Sequence, residues 1–511
     1  MLVLLTFVAV LTFPDYGITW DEPRQQRYGE LALSYYLSSG VDQTVFSYFD
    51  LYLYGAVFDL LVSALQMVSP LEPYDTRHLA NALVGLAGLA GTWRLARELA
   101  GPRAAFLALV LLAASPDWYG HMFNNPKDIP FGAAMTWATY YLVRVARTLP
   151  RPGVATILKF GLAAGLAMGV RVAGGMLWVY AGALVLSWAL FEARAIGGRS
   201  AWRVGWPIGL SFIVAGGLAW GLMVVLWPWA QQAPFANPLA AARVFAQYPH
   251  DETFVYAGEL VRSTDLPWHY LPVMLLVRVP EPVILGSALV PLLVAGFRGW
   301  ARPDWLGWGV VALAILLPLV LVFGTDAVLY DGLRHVLFLV PLVTVGAAAA
   351  LDWLWARMPW QHGRDFLLGL AAVWLGFQVA QFVEIHPYQY VLYNRVVGGV
   401  EKAAGRFELD FWGSSLKETT EALVATLVAE HGEDMLSKPL RVLVCGPYDS
   451  VRPYVPKEWR LLDWRSGRPA DLFVALPKMP CRLPGTARVL VRTLREEVLL
   501  SSAGTVREEL P

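Results

Sequence analysis

The chain has 511 residues, 57% of them hydrophobic and only 16% charged, with 40 Lys+Arg balancing 40 Asp+Glu. A soluble domain carries about 25% charged residues, so a water-soluble enzyme, a disordered chain and a disulfide-rich secreted scaffold are all excluded. Zero net charge removes the global basic field that a nucleic-acid binder needs. With 22 Trp, 21 Tyr and 23 Phe to supply aromatic belts at two interfaces, the composition is that of a polytopic membrane protein.

A hydrocarbon core about 30 Å thick takes roughly 20 apolar residues of helix. The first apolar run, Met1 to Phe13, is shorter than that and is followed by Pro14-Asp15-Tyr16-Gly17 rather than a small-residue cleavage site. It reads as a first transmembrane helix with a shortened start. Further apolar runs lie near 51–69, 78–93, 104–116, 129–143, 157–170, 172–191, 204–228, 271–297, 305–323, 335–356 and 366–383. Short basic connections separate many of them: Arg94/Arg97/Arg103, Arg144/Arg147/Arg151, Arg194/Arg199/Arg203, Arg298/Arg302 and Arg357/Arg364. All five groups fall on the cytoplasmic side by the positive-inside rule, provided the amphipathic 51–69 run lies along the interface instead of crossing. That predicts about eleven spans, with the N-terminus inside and the C-terminus outside.

The outer side then receives the 14–77 loop with its interfacial helices, the 115–128 loop, the turn at Arg171, and the 229–270 and 324–334 loops. His78, His121, His250, His269, His335, His386 and His431 fall outside or at the outer rim, and only His362 inside. After about residue 384 charge density rises. A helical stretch at 417–430 precedes short β-type runs at 441–445, 471–476 and 488–492. The expected organisation is an all-α membrane domain over 1–384 and a small non-cytoplasmic α/β domain over 385–511. Cys445 and Cys481, both in the latter, either pair in an oxidising compartment or remain buried thiols.

Candidate chemistry gathers on the outer side. Asp21-Glu22 follows the first span; an acidic pair there suits a general base acting on an acceptor hydroxyl. It suits equally a helix start with Asp21 capping and Pro23 in the first turn. His121-Met-Phe-Asn-Asn-Pro-Lys-Asp128 offers amides, a cation and a carboxylate, the mixture a sugar phosphate needs, although Asp128 also fits a cap. Arg171 sits in Gly169-Val-Arg-Val between two apolar runs. An arginine at the bilayer midplane costs about 2.5–3.5 kcal/mol, so this one is expected at a rim or polar cavity, on a lipid phosphate or on ordinary headgroups. Arg334-His335 repeats that placement, and Arg278 and Glu281 have the spacing of a helical ion pair. Among nucleotide-binding and hydrolase motifs, no Walker loop, GxSxG, HExxH or βαβ-type GxGxxG occurs.

Several stretches together resemble the bacterial relatives of dolichyl-phosphate-mannose–protein mannosyltransferases, which include the lipid A aminoarabinose transferases. They are Asp21-Glu22-Pro-Arg with Arg27-Tyr-Gly-Glu30, Asn125-Pro-Lys-Asp128-Ile-Pro-Phe131, Pro267-Trp-His-Tyr-Leu-Pro272, Asp331-Gly-Leu-Arg-His335 with Pro341, and His386-Pro-Tyr-Gln-Tyr390. Tyr393-Asn394, Gly398-Gly399 and Asp410-Phe-Trp-Gly413 follow. The likeness runs to about residue 415.

The resemblance implies a GT-C-type glycosyltransferase of the bacterial cytoplasmic membrane. It would move a sugar, with inversion, from a polyprenyl-phosphate donor to an acceptor hydroxyl on a lipid, glycan or protein. Its active site and C-terminal domain would face the periplasm. The family's acidic residues match Asp21, with Glu22 beside it, and Asp128. Asn125, Lys127, Arg171, His269, Arg334 and His335 are the matching candidates for donor phosphate and sugar. No cofactor is defined, and whether a divalent metal adds cationic charge stays open, since no ligand set stands out. The competing readings are a transporter or flippase of lipid-linked precursors, expected to show repeats and broken helices, and an assembly scaffold that would tolerate loss of Asp21 and Asp128.

Overall fold

The structure is a computed structural model that describes residues 1–246, 248, 250–296, 302–325 and 327–507. Arg298, together with residue 297 at the end of the 271–297 run and residue 326 of the 324–334 loop, lies outside the described residues, as do the side chains of Arg199 and Arg302. Every predicted apolar run falls on helix, and proline marks many of the starts. Pro23, Pro73, Pro102, Pro116 and Pro341 each occupy the first turn of a helix, where no N–H is needed and φ is already set. Between Pro73–Ala100 and Pro102–Ala113 the chain reverses at Gly101, whose φ of 91° only glycine adopts freely. The helices Val154–Met168 and Gly198–Val225 pack backbone to backbone. A Cβ at Gly161 would stand 2.8 Å from the Ala215 carbonyl oxygen, the small-residue contact that lipid-embedded helices use.

Among the described residues, five stretches are long and apolar enough by themselves to cross a bilayer: 172–195, 205–225, 304–324, 334–357 and 361–384. A sixth arises if the bent pair Tyr270–Arg278 and Glu281–Ala295 is one span. This is a multi-pass membrane protein, but the eleven crossings expected from the apolar runs are not all matched on these criteria. Leu2–Thr12, Pro102–Ala113 and Val154–Met168 are short. Pro73–Ala100 and Asp128–Thr148 are long yet polar, because they lie inside the bundle and bury Arg77, His78, Asn81, Asp128, Thr136 and Thr139. The Gln361–Glu384 helix is the opposite case. Only 6% of its apolar window is buried, and Phe366, Val373, Phe377 and Val383 point outward, as a lipid-facing helix requires.

The 51–69 run does not form a span. It makes a short turn of helix at Leu51–Leu53 and the 10-residue helix Val57–Gln66, in which Asp59 is buried against Arg77. The Arg278–Glu281 pairing expected from spacing is absent. Val279 precedes Pro280, is forced into extended backbone, and breaks the helix by 120°. Arg278 pairs with Asp117 and donates to the Tyr390 carbonyl at 2.6 Å, while Glu281 accepts from Trp374 at 2.8 Å. Carbonyls freed at the break are taken up by Asn394, which donates to Leu276 at 2.7 Å and to Val279 at 2.8 Å.

Beyond the bundle, the helix Leu416–His431 precedes a five-stranded sheet. Arg460–Asp463, Arg441–Cys445 and Leu472–Ala475 run parallel, followed by antiparallel Val498–Thr505 and Arg488–Arg495. Three of these strands match the predicted β runs, and Arg460–Asp463 and Val498–Thr505 are additional to them. A disulfide joins Cys445 to Cys481. The 385–415 segment packs between bundle and sheet, with Tyr388, Tyr390, Phe411 and Trp412 in one apolar cluster with Leu500.

Candidate active site

At the end of the bundle that carries the sheet, four distant segments converge. Gly17 passes so close to the 410–415 segment that a Cβ there would lie 2.1 Å from the Ser414 carbonyl oxygen. The Trp20 N–H donates to the Trp412 carbonyl at 3.0 Å, and the Ser450 hydroxyl donates to the Thr19 carbonyl at 3.1 Å. These contacts fix the start of the Glu22–Leu37 helix and with it Asp21.

Asp21 stands at the cap position, but its side chain makes no capping bond. Its Oδ2 accepts instead from Lys127 Nζ at 3.1 Å and Arg334 Nη2 at 3.0 Å. Burial pushes this carboxyl up, yet Lys127 and Arg334 more than offset that and hold it well below the ordinary carboxylate range. Its neighbour points elsewhere, since adjacent helical residues do not share a face. Glu22 accepts from the Thr19 N–H at 2.8 Å and hydroxyl at 3.0 Å, and its other oxygen lies 3.0 Å from His78 Nε2. Fully buried, it positions the loop and does not reach the site cavity.

Asp128 is not a cap either: it is the first residue of its helix, Lys127 holds the cap position, and Asn125 accepts from the Asp128 N–H at 2.9 Å. The same amide donates to Asp128 Oδ2 at 2.9 Å, and its nitrogen lies 2.8 Å from His121 Nδ1. Burial first, and Arg278 second, lower the His121 pKa to about 3, so the ring is neutral. The other Asp128 oxygen pairs with Arg171, which occupies the extended break after Val154–Met168. Lys127 extends over the Tyr54 ring, 5.0 Å from its centroid.

Arg334 ties the cluster together. It donates to Asp331 at 2.7 Å and to Asp21 at 3.0 Å, lies 3.4 Å from Asp128, and sits over the Trp412 ring at 5.0 Å. Asp331 reaches this position with φ at +56°, a left-handed conformation uncommon outside glycine, and also accepts from Trp412 Nε1 at 3.2 Å. His335 packs edge-on against Tyr330, ring centroids 4.5 Å apart. Three cations and three carboxylates thus alternate. Asp21, 28% exposed, and Arg171, 19% exposed, are the members most open to a ligand.

Above them lies a cavity of about 760 Å³ walled by Trp20, Asp21, Arg24, Asp331 and Arg334, by the Glu252 strand region, by Glu408 and Trp412, and by the Leu476–Pro480 turn of the sheet domain. Asp21, Asn125, Lys127, Asp128, Arg171, Arg334 and His335 are therefore brought together. His269 is not: its Nδ1 lies 2.7 Å from the Tyr256 hydroxyl, away from the cavity lining. Asp331 joins the site beyond the sequence-derived candidates, and the signal for it is an acid three residues before Arg334 in Asp331-Gly-Leu-Arg-His335. Glu252, Glu408 and Lys478 carried no local signal. Among the described residues, no group of three or more His, Cys, Asp or Glu side chains gathers as a metal site.

Residues 76–225 match the family model described as dolichyl-phosphate-mannose-protein mannosyltransferase, a stretch that contains Asn125, Lys127, Asp128 and Arg171. Among solved structures the chain is similar to ArnT from Cupriavidus metallidurans in the apo state, with TM-score 0.49, 17% identity and coverage of 99% of this chain and 96% of that one. ArnT bound to undecaprenyl phosphate gives 0.48, 17%, 99% and 98%. The oligosaccharyltransferase AglB from Archaeoglobus fulgidus, with an inhibitory peptide and a dolichol-phosphate, gives 0.48 and 12% identity over 90% of this chain and 64% of that one. No curated protein matches the chain.

Proposed function

We propose that this protein is a membrane glycosyltransferase that moves a sugar from a polyprenyl-phosphate donor to an acceptor hydroxyl on the periplasmic side of a bacterial cytoplasmic membrane, with inversion. The observation that carries the reading is the contact of Asp21 with Lys127 and Arg334, beside the Asp128–Arg171 pair. An apolar groove of about 380 Å³ supports it. Val57, Phe58, Pro130, Trp137, Leu166 and Val170 are among its lining residues, and Pro130 and Val170 stand two residues and one residue from Asp128 and Arg171 in sequence. A prenyl chain in that groove brings its phosphate to Arg171 and Lys127.

In the reaction the acceptor oxygen bonds to the anomeric carbon from the face opposite the phosphate. The carbon–oxygen bond to phosphate breaks, and the phosphate leaves with the electron pair. Lys127, Arg171 and Arg334 stabilise the charge that builds on it. Asp21 orients the hydroxyl and receives its proton. A carboxylate held at so low a pKa is a weak base. A phosphate that draws Lys127 or Arg334 toward itself raises that basicity, so the base becomes competent once donor is bound. The periplasmic placement is supported by the Cys445–Cys481 disulfide in the sheet domain. At the opposite end of the bundle lie the basic connections, where Arg147 meets Asp304 at 2.5 Å and Arg103 meets Asp352 at 3.0 Å. The transporter reading is less favoured, because the broken helix at Pro280 has its carbonyls filled by Asn394.

The test is purified protein in lipid with a panel of undecaprenyl-phosphate sugars. Release of free undecaprenyl phosphate supports the transferase; donor binding without release, with candidate acceptors supplied, overturns it.

A further inference from the structure

We propose that the sheet domain completes an acceptor subsite in which Lys478, Glu252 and Glu408 bind the hydroxyl groups of a neutral glycan. The inference rests on the transferase reading and names the class of its acceptor.

All three residues line the cavity that contains Asp21. Lys478 stands 3.8 Å from Glu252 and 3.7 Å from Glu408. Both separations exceed the 2.7–3.2 Å of a well-formed N–H···O bond, so donors and lone pairs remain for a ligand. The structural pairs nearby are closer: Arg495 meets Glu418 at 2.7 Å.

The lysine is also delivered rigidly. Its turn follows the strand Leu472–Ala475; the Leu476 N–H donates to the Cys445 carbonyl at 3.0 Å, and the Cys481 disulfide to Cys445 closes the far side. Lys478 lies over the Trp20 ring at 6.0 Å, and Trp464 lines the same cavity, so flat apolar faces adjoin the polar groups. A sugar presents that combination, C–H faces and hydroxyls that both donate and accept. Lys478 stands between two acids, Glu252 and Glu408, so its charge is already offset and it offers little to a phosphorylated or acidic acceptor.

The experiment uses full-length protein in lipid nanodiscs and reads tryptophan fluorescence. One titration uses undecaprenyl phosphate. Others use methyl glycosides of glucose, galactose, mannose and N-acetylglucosamine, and a serine/threonine peptide for contrast. The expected result is saturable binding of at least one glycoside, weakened about tenfold in Lys478→Met, the scale of one lost charge-assisted hydrogen bond. Lys478→Arg restores part of it, and undecaprenyl phosphate affinity stays within about twofold of wild type, as expected of a site apart from the phosphate cations. Glu408→Gln weakens glycoside binding in the same way. Unchanged glycoside affinity in both Lys478→Met and Glu408→Gln, or saturation by the peptide and by no glycoside, overturns the proposal. Failure of wild-type protein to bind undecaprenyl phosphate counts against the donor reading alone, and the glycoside titrations still decide the subsite.

Discussion

Arg334 and Asp21, 313 residues apart in sequence, meet at 3.0 Å through the guanidinium that also holds Asp331 at 2.7 Å. One buried cation therefore serves the first outer loop and the start of a transmembrane helix together. Removing it leaves Asp21, Asp128 and Asp331 facing one another with Lys127 and Arg171 alone to balance them. Arg334→Ala should lose about 3 kcal/mol of stability and all measurable transfer. Arg334→Lys keeps the charge but not the fork, and should recover stability more than activity. Thermal unfolding and transfer rates on the two variants check this.

The cavity carboxylate Glu408 is raised to about 7, chiefly by burial, with Lys478 opposing and Asp331 and Glu252 adding to the rise. Its folded pKa lies above its unfolded value near 4.5, so the native state binds the proton more tightly. Stability from this group is present below about pH 4.5 and is lost as pH rises toward 7, where it levels. Glu408→Gln abolishes that loss. The wild-type unfolding midpoint should fall relative to the variant between pH 5 and 7.5; parallel profiles would contradict it.

Gly17 leaves no room for a side chain against the Ser414 carbonyl. Gly17→Ala should force the first loop off the 410–415 segment, at about 1–3 kcal/mol of overpacking. Activity should drop with donor binding largely kept, because Lys127 and Arg171 belong to other segments. Donor affinity and transfer rate, measured separately, decide it.

Arg278 and Asp117 are both nearly fully buried. Arg278→Met alone strands the carboxylate and should cost about 3–5 kcal/mol, whereas Arg278→Met with Asp117→Leu should cost markedly less. A double-mutant cycle on thermal stability reads the difference.

Much of this was legible in the sequence. Every apolar run became helix because lipid and a helical interior both demand intra-segment hydrogen bonds. Asp21, Lys127, Asp128, Arg171 and Arg334 were identifiable because each is an ionisable residue at the end of an apolar run, where burial needs a reason. The failures have equally local causes. Glu22 was grouped with Asp21 by adjacency, yet a helix turns neighbouring side chains about 100° apart. Arg278 and Glu281 had pairing distance only if the helix continued, and Pro280 ends it. His269 followed a motif that places it on Tyr256 instead. Span number could not be read from hydropathy, since the central helices carry the polar residues that build the site. Glu252, Glu408 and Lys478 meet only through tertiary folding, and nothing local in their segments marks that meeting.

The most direct test compares wild-type protein with Asp21→Asn in lipid, measuring undecaprenyl-phosphate-sugar binding and release of free undecaprenyl phosphate on the same preparations. A reaction centre at Asp21 predicts that the variant folds and binds donor while release falls at least about a hundredfold, the scale of a lost general base. Release at the wild-type rate by folded Asp21→Asn would contradict it and move the chemistry elsewhere in the cavity.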